Sequence, residues 1–361
     1  DCLDLYRNVF LEDDEINYGV RNLLKVIYEA RKTLAASDLS KLDLRFCTLN
    51  NIELYDADFT GSLIQKETIF PNGHYLEVYN AVFSPTGEYI VSCGFDRSVK
   101  MWHTKTGKYI KTVAEYPEVR NIGFSNDGKY FFAATFKKVD IMNAATFKIQ
   151  HTFKRAYNAV FSPNSELIAI VLDSEEIEIL ELPSLLSKGK IQLDSEERRI
   201  REPGEMCFDP DSRKLAYINK GYIKIWDINK RREIKNFEGP NEYRVVQFSL
   251  SGKYIVGGDD EGITIYKANS SDLNSKIQRI EETDYGKFGR IYSIRFILND
   301  KYIIVGDWDK AVVIQIEDMK MFLSCDCIQH SAYNISDFYN GQVVVSNGKG
   351  FYIWSIREKE F

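Results

Sequence analysis

The sequence predicts an all-β protein that repeats one unit of strands and turns seven times. The clearest copy runs from Asn80 to Trp102 (NAVFSPTGEYIVSCGFDRSVKMW) and alternates three apolar strands with a Ser-Pro-Thr-Gly turn and an Asp-bearing turn. The residue that ends the first strand recurs as Phe83, Phe124, Phe161, Phe208, Phe248, Phe296 and Phe338. The intervals between these phenylalanines along the sequence are close to the repeat of about 40–45 residues that is typical of a four-stranded propeller blade. The predicted fold is a seven-bladed β-propeller over residues 65–361.

Composition and charge narrow the functional classes. The formal net charge of the 361-residue chain is −6, so we expect neither nucleic acid nor an anionic membrane surface as a partner. The chain has no apolar run of 18 residues and no charged-then-apolar leader. Its six cysteines form neither a CxxC pair nor a dense disulfide framework, and Cys93 and Cys207 fall in predicted strands. We expect a reduced, cytoplasmic protein in which these two thiols are buried.

Residues 1–35 are predicted to be helical. Within Glu15–Arg31 one helical face is apolar, formed by Val20, Leu23, Leu24, Ile27 and Tyr28. The simplest interpretation is a helix that caps the next module. The alternative is the end of a preceding helical domain, since the first residues read like the middle of a longer polypeptide.

Residues 36–64 follow a strict five-residue period. Its large apolar positions are Leu39, Leu44, Leu49, Leu54, Phe59 and Ile64. This segment resembles the pentapeptide repeat, and the resemblance implies a short right-handed β-solenoid. Because a solenoid this short cannot bury its own face, we expect it to pack against a neighbouring module.

The repeats over residues 65–361 resemble WD-repeat proteins. The first repeat carries Gly73-His74, then Ser92, Asp96 and Trp102 at the family's positions, and Trp226-Asp227 gives the eponymous dipeptide. The resemblance implies that His74, Ser92, Asp96 and Trp102 form a buried hydrogen-bonded tetrad. It also implies that the last blade takes its outer strand from the N-terminal side, and residues 62–70 (SLIQKETIF) are predicted to supply it.

No catalytic signature is found in the sequence. There is no phosphate-binding GxxxxGK[ST] loop, no GxSxG or HExxH motif and no paired-carboxylate constellation. The four histidines are far apart, and His74 is already assigned to the tetrad. We therefore expect a protein that is not an enzyme and that needs no cofactor or metal.

The turns between second and third strands form the candidate partner-binding rim, because the resemblance implies that this face recognises peptides. Counting back four residues from Val99 and its equivalents gives Phe95, Phe136, Asp173, Asn219, Asp259, Trp308 and Asn347. A second ring precedes the first strands and comprises Glu77, Glu118, Arg155, Glu202, Glu242 and Arg290. The predicted binding residues are Phe95, Phe136, Asp259, Trp308, Arg155 and Arg290.

Aromatic anchors with an acidic bias suit a protein or peptide partner that carries Lys or Arg. The alternative for Phe95 and Phe136 is packing between blades. Two long connections, residues 181–205 and 267–290, are further candidates for partner contact.

The order of helix, pentapeptide stretch and propeller resembles the C-terminal portion of bacterial signal-transduction ATPases related to NOD-like receptors. That resemblance implies a non-catalytic module for ligand recognition or autoinhibition, whose partner is in the second case another part of its own chain. The alternative is a stand-alone WD-repeat scaffold that bridges partners in a multiprotein complex.

Overall fold

The computed structural model describes residues 74, 76–116, 118–194, 206–268, 276–283, 286–307, 310–317, 321–325, 332–336, 339, 342–347 and 350–355. These residues form β-strands and turns, and no α-helix occurs among them. The predicted helix at 1–35, the pentapeptide stretch at 36–64, the predicted closing strand at 62–70 and Trp308 lie outside the described residues. In the described part, no helix has the length and apolar character to cross a membrane.

Six four-stranded sheets follow one another along the chain, and neighbouring strands in each sheet are consecutive in sequence. The first two sheets contain β1 to β8: Val78–Phe83, Tyr89–Gly94, Ser98–His103, Tyr109–Glu115, Asn121–Phe124, Tyr130–Ala134, Lys138–Asn143 and Ile149–Lys154. The next two contain β9 to β16: Ala156–Phe161, Leu167–Leu172, Glu176–Glu181, Leu186–Gln192, Met206–Phe208, Lys214–Asn219, Tyr222–Asp227 and Arg232–Phe237.

The fifth sheet contains β17 to β20: Val245–Phe248, Tyr254–Gly258, Ile263–Lys267 and Lys276–Ile280. A two-stranded hairpin follows, formed by β21 (Glu282–Thr283) and β22 (Gly286–Lys287). The sixth sheet contains β23 to β26: Ser293–Ile297, Tyr302–Gly306, Ala311–Gln315 and Met321–Cys325. The described part of a seventh sheet has three strands, β27 to β29: Ala332–Ile335, Gln342–Asn347 and Gly350–Ser355.

This series of sheets confirms an all-β propeller, with six complete blades. The predicted strand ends are also confirmed: Phe83, Phe124, Phe161, Phe208 and Phe248 each end a first strand, and Phe296 is the penultimate residue of β23. Phe338 lies outside the described residues. The repeat could be recognised in the sequence because each first strand pairs with an apolar second strand in the same register. Examples are Phe83 opposite Ile90 and Phe124 opposite Phe131.

The core lies between successive sheets. Second strands such as β10 (LIAIVL) are apolar along nearly their whole length because both of their faces are covered by neighbouring sheets. Fourth strands such as β8 (IQHTFK) are mostly exposed to solvent. Six apolar clusters join the sheets in order, and the last contains Tyr302 and Val313 of the sixth sheet with Val343 and Val345 of the seventh.

The seventh sheet also contacts the first. The Tyr339 hydroxyl donates a hydrogen bond of 2.6 Å to the Thr86 carbonyl, and the ring of Tyr339 lies 5.8 Å from that of Phe83. The Ser346 hydroxyl donates to the Tyr79 carbonyl at 3.3 Å. The three-stranded sheet therefore joins the sixth sheet to the first.

A ladder of buried asparagines ties the first three sheets together. Asn80 Nδ2 donates to Asn121 Oδ1 at 2.7 Å, and Asn121 Nδ2 donates to Asn158 Oδ1 at 2.8 Å. All three residues are buried, and each lies three positions before the phenylalanine that ends its strand. Because a buried amide left unpaired is costly, this repeated position fixes the spacing between neighbouring inner strands.

The two long connections of the sequence prediction are shorter than expected. Residues 181–205 contain β12, and residues 267–290 contain β20 and the small hairpin. The prediction took these polar segments for loops because a fourth strand is mostly exposed and has no apolar face to reveal it.

The described residues divide into two compact units, one with Leu76–Met101 and the described residues from Lys111 onward, the other with His74 and Trp102–Ile110.

Candidate functional site

In the unit that contains Leu76–Met101 and the described residues from Lys111 onward, one rim is formed by the turns between first and second strands and the other by the turns between second and third strands. The two rims differ in how their turns are hydrogen-bonded to neighbouring sheets. Turns between first and second strands are linked from sheet to sheet. The Asp300 carboxylate accepts hydrogen bonds from the backbone N–H groups of Leu250 and Ser251 at 2.6 and 2.9 Å. Further links of this kind join Asn126 to Pro163, Asn164 to Ser212 and Tyr339 to Thr86. This rim uses its polar groups to hold the sheets together.

The opposite rim contains the turns between second and third strands, where the sequence places its candidate residues. Three of these turns have the same backbone hydrogen bond. In each of them the N–H of the first turn residue donates to the carbonyl of the residue three positions later, at 2.9 Å. The first residues are Thr135, Asp259 and Asp307. Phe136 therefore occupies the second position of its turn, whereas Asp259 occupies the first position of its own turn. The structure corrects the predicted alignment at Phe136.

The side chain at the first turn position caps the turn in these three sheets. Thr135 Oγ1, Asp259 Oδ1 and Asp307 Oδ1 each accept a hydrogen bond from a backbone N–H of their own turn, at 2.7 to 3.1 Å. A short polar side chain here caps the turn. Phe95 occupies the same position in the first sheet, directly after β2, and cannot cap the turn in this way.

Asp259 is not an exposed binding residue. It is fully buried, and its carboxylate forms an ion pair of 2.7 Å with Arg279, whose side chain is also buried. Burial lowers the pKa of Arg279, but bonds to Asp259 and Glu281 outweigh it and leave that pKa above its ordinary value. The neighbouring Asp173 is also engaged, because it accepts a hydrogen bond from the Tyr157 hydroxyl. The acidic ring predicted from sequence loses these two carboxylates.

Phe95 and Phe136 belong to one cluster that spans the first two sheets. Phe95 is 47% exposed and meets the ring of Tyr79 edge to face, with 6.1 Å between centroids. The Arg120 guanidinium lies over the rings of both Tyr79 and Phe136, at 4.6 and 4.4 Å. We call Phe95, Tyr79, Arg120 and Phe136 the aromatic–arginine stack. Phe136 packs on Arg120, which also contacts Tyr79 of the first sheet, whereas Phe95 is open to solvent.

The remaining predicted rim residues lie apart from this stack or at its edge. Arg155 is exposed in the turn between β8 and β9, and its N–H donates to the Lys137 carbonyl at 2.8 Å. Arg290 precedes the sixth sheet, and its guanidinium lies 5.1 Å from the ring of Tyr292. The sequence analysis missed Tyr79 and Arg120. Arg120 and Tyr79 occupy equivalent positions, each four residues before the phenylalanine that ends its first strand, so they lie two residues beyond the second ring of candidate positions.

All four residues of the predicted tetrad are among the described residues. The rings of His74 and Trp102 lie 6.1 Å apart at an angle of 46°. Ser92 and Asp96 are buried, and Asp96 accepts hydrogen bonds from the Ser98 hydroxyl and N–H at 2.7 and 3.2 Å. The complete four-residue network stays a prediction.

The two described cysteines are confirmed as buried free thiols. Burial raises the pKa of Cys207 to about 12, and it raises that of Cys93 further. A thiol with such a pKa is protonated near neutral pH and is a poor nucleophile or metal ligand. Among the described residues, no three His, Cys, Asp or Glu side chains come together as a metal site.

Comparison with known proteins agrees with this architecture. The profile of the WD40 family, described as "WD domain, G-beta repeat", matches residues 65–103. WD repeat-containing protein AAC3 of Dictyostelium discoideum is 29% identical over 180 residues, which is 48% of this chain and 37% of that protein. Periodic tryptophan protein 2 homolog, from the same organism, is 26% identical over 211 residues, 55% of this chain and 22% of its own length.

Human apoptotic protease-activating factor 1 is 27% identical over 265 residues, which is 68% of this chain and 20% of that protein. This chain thus spans less than half the length of these curated relatives. β-Propellers with WD40 repeats generally bind protein partners. The sequence profile identifies a WD40 repeat over residues 65–103, and the series of sheets shows the β-propeller fold.

Proposed function

We propose that this chain is a non-catalytic protein-binding module that recognises a peptide segment of a partner at the rim of second-to-third-strand turns. The observation that carries the proposal is Phe95, an exposed aromatic ring at a turn position that other sheets fill with a capping polar residue. Large aromatic and arginine side chains dominate the binding energy of protein interfaces. An exposed ring held in place by Tyr79 is suited to that role.

The opposite rim is the weaker candidate. Its turns are bonded to one another from sheet to sheet, so a partner there would meet polar groups that already have partners. We also propose that the three-stranded sheet is the seventh blade, because it packs on the sixth sheet and bonds to the first. A closed ring of blades would give the binding rim a rigid frame.

The expectation of a partner rich in Lys or Arg depended on an acidic ring. With Asp259 paired to Arg279 and Asp173 bonded to Tyr157, that ring keeps fewer available carboxylates than the sequence indicated. The proposal of a basic partner therefore loses its main support.

We propose further that the module belongs to a larger signalling protein, as a sensor or as an autoinhibitory domain that binds another part of its own chain. Alignment of most of this chain with a fifth of apoptotic protease-activating factor 1 supports that proposal. The alternative is a stand-alone scaffold that bridges partners. The gene upstream of Asp1 discriminates between them, because an ATPase module there favours the sensor and a nearby start codon favours the scaffold.

Affinity capture with three forms of the chain tests the binding rim. The wild type is compared with Phe95→Ala and with Leu250→Ala, which removes a 56% exposed apolar side chain from the opposite rim. Bound proteins are quantified by mass spectrometry. We expect a set of proteins that binds the wild type and the Leu250→Ala variant and is depleted about fivefold or more by Phe95→Ala. Depletion by Leu250→Ala but not by Phe95→Ala would show that the binding rim is assigned to the wrong face, and equal capture by all three forms would show that Phe95 is not a binding residue.

A further inference from the structure

We infer that the aromatic–arginine stack and the cations beside it bind an acidic peptide segment that also carries an aromatic or aliphatic anchor residue. This inference rests on the proposed function and deepens it, because it names the sector of the rim and the chemistry of the partner. Three groups of observations carry it: the exposed apolar surface, the position of Arg120, and the distribution of ion pairs around the rim.

The apolar part of the sector consists of Phe95 and Leu76. Their side chains are 47% and 40% exposed, and the Phe95 N–H donates to the carbonyl of Glu77, the residue that follows Leu76. Removing such surface from water contributes about 25 cal/mol per Å². An apolar side chain of a partner that covers this exposed surface would act as the anchor residue.

Arg120 gives the sector a positioned cation. Its guanidinium lies over two aromatic rings that come from different sheets, and its N–H donates to the Ala134 carbonyl at 2.9 Å. Contacts with aromatic rings restrict the long side chain before any partner arrives, so less conformational entropy is lost on binding. The planar guanidinium matches the geometry of a carboxylate, and charged hydrogen bonds of this kind are strong.

The turn tips beside the stack are also basic. Backbone bonds identify equivalent tip positions: the N–H groups of Tyr116 and Arg155 donate to the carbonyls of Arg97 and Lys137, at 2.7 and 2.8 Å. Arg97, Lys137 and Arg155 are exposed, and none of them pairs with a carboxylate of the described residues. The third sheet ends this basic sector, because its equivalent tip is Glu175, whose carbonyl accepts from Leu193.

Other cations near this rim already have carboxylate partners. These pairs are Lys138 with Asp140 at 2.6 Å, Arg279 with Asp259 at 2.7 Å, Lys220 with Asp194 at 3.9 Å, and Arg244 with Asp260. Three carboxylates lie in the basic sector with Arg97, Arg120, Lys137 and Arg155: Glu77, Glu118 and Asp173, whose N–H donates to the Arg155 carbonyl. The sector therefore keeps an excess of positive charge on a protein whose net charge is −6. Charge complementarity favours a partner that brings carboxylates.

Selection from a library of random peptides displayed on phage tests the inference directly. The whole chain is the bait, in the wild-type form and with Phe95→Ala, and enriched peptides are read by sequencing. We expect the wild type to enrich peptides in which Asp or Glu flank an aromatic or aliphatic residue, and Phe95→Ala to lose them. Leu250→Ala on the opposite rim is the matched control and should retain them.

A chosen peptide is then measured by fluorescence anisotropy. We expect Phe95→Ala and Arg120→Gln each to weaken binding about tenfold or more, and Arg213→Gln, an exposed arginine on the opposite rim, to leave it unchanged. Arg97→Glu with Lys137→Glu should also weaken it, and these exposed side chains lie outside the stack, so misfolding of the stack would not explain the loss. Raising the ionic strength from about 0.01 M to about 1 M should weaken binding as well.

The outcomes separate the inference from the proposed function. Enriched peptides that depend on Phe95 but are basic or uncharged would overturn the acidic partner and leave the rim in place. Peptides that depend on Leu250 instead would overturn the rim and the inference together. A selection that enriches no peptide at all would also overturn both.

Discussion

Asp259 shows how a single carboxylate can be fixed by its surroundings. It accepts hydrogen bonds from the N–H groups of Glu261 and Gly262 at 2.8 and 3.0 Å, and it pairs with Arg279 at 2.7 Å. Arg279 also donates to the Thr264 hydroxyl at 3.1 Å. Removing one member of a buried pair leaves the other charge without compensation, and this costs more than the pair itself contributes.

We predict that Asp259→Asn lowers the free energy of unfolding by about 3 kcal/mol, because it leaves the buried Arg279 guanidinium without its main counter-charge. Asp260→Asn is the matched control: Asp260 is exposed and its ion pair with Arg244 is open to solvent, so its loss should cost about 1 kcal/mol or less. Urea unfolding followed by tryptophan fluorescence measures both. Equal midpoints for the two variants would contradict a stabilising role for the buried pair.

For single residues, the sequence correctly indicated burial inside strands, but it did not reveal which side chains contact one another in the fold. Cys93 and Cys207 were predicted as buried because they stand inside apolar strands, and a strand pattern reports burial directly. Asp259 was predicted on an exposed ring because a turn sequence does not reveal that a residue twenty positions later returns to pair with it. The arginine of the stack was missed because its aromatic neighbours come from two different sheets.

Turns, together with the strand residues Ser346 and Tyr79, join the seventh sheet to the first. Gly87 lies in the turn between β1 and β2 with φ of +66°, and a Cβ atom built there would stand 1.8 Å from Cε1 of Tyr339. The close approach allows the Tyr339 hydroxyl to reach the Thr86 carbonyl at 2.6 Å. Glycine is needed here both for its backbone conformation and for the space it leaves.

We predict that Gly87→Ala lowers the free energy of unfolding by about 2 kcal/mol more than Gly107→Ala does. Gly107 has nearly the same φ, +62°, but a Cβ atom added there would meet no other atom within 4 Å, so it reports the backbone strain alone. Denaturant unfolding of both variants gives the difference. If the two substitutions cost the same, Tyr339 moves aside freely and the contact does not hold the sheets together.

The elements were the part of this protein best predicted from sequence. First and second strands were found because their apolar runs recur at the length of a blade, and the Asn80–Asn121–Asn158 ladder repeats at the same spacing. Fourth strands such as β12 were taken for loops because they are largely exposed and carry no continuous apolar face. Turn registers were off by one residue at Phe136 because backbone hydrogen bonds define the turn, and residue counts alone do not.

The whole molecule raises the question of how the last sheet is completed. Six sheets have four strands, whereas the described part of the seventh has β27, β28 and β29. An outer strand left without a neighbour exposes a row of N–H and C=O groups, which favours pairing with other chains. We propose that residues 62–70 (SLIQKETIF) add the fourth strand beside β29, as the sequence analysis predicts.

Proline substitution in the full chain tests this proposal. Thr68→Pro places a residue that lacks an N–H donor inside the proposed strand, so we expect a lower melting temperature and more aggregation on heating. Thr60→Pro, which lies before residue 62, is the matched control for the general effect of a proline. For a domain of this size a loss of about 1 kcal/mol corresponds to about 2–4 °C, so we expect Thr68→Pro to melt at least that far below Thr60→Pro in calorimetry. Equal melting temperatures would mean that residues 62–70 do not close the propeller, and the edge of β29 would then need another strand or a partner chain to cover it.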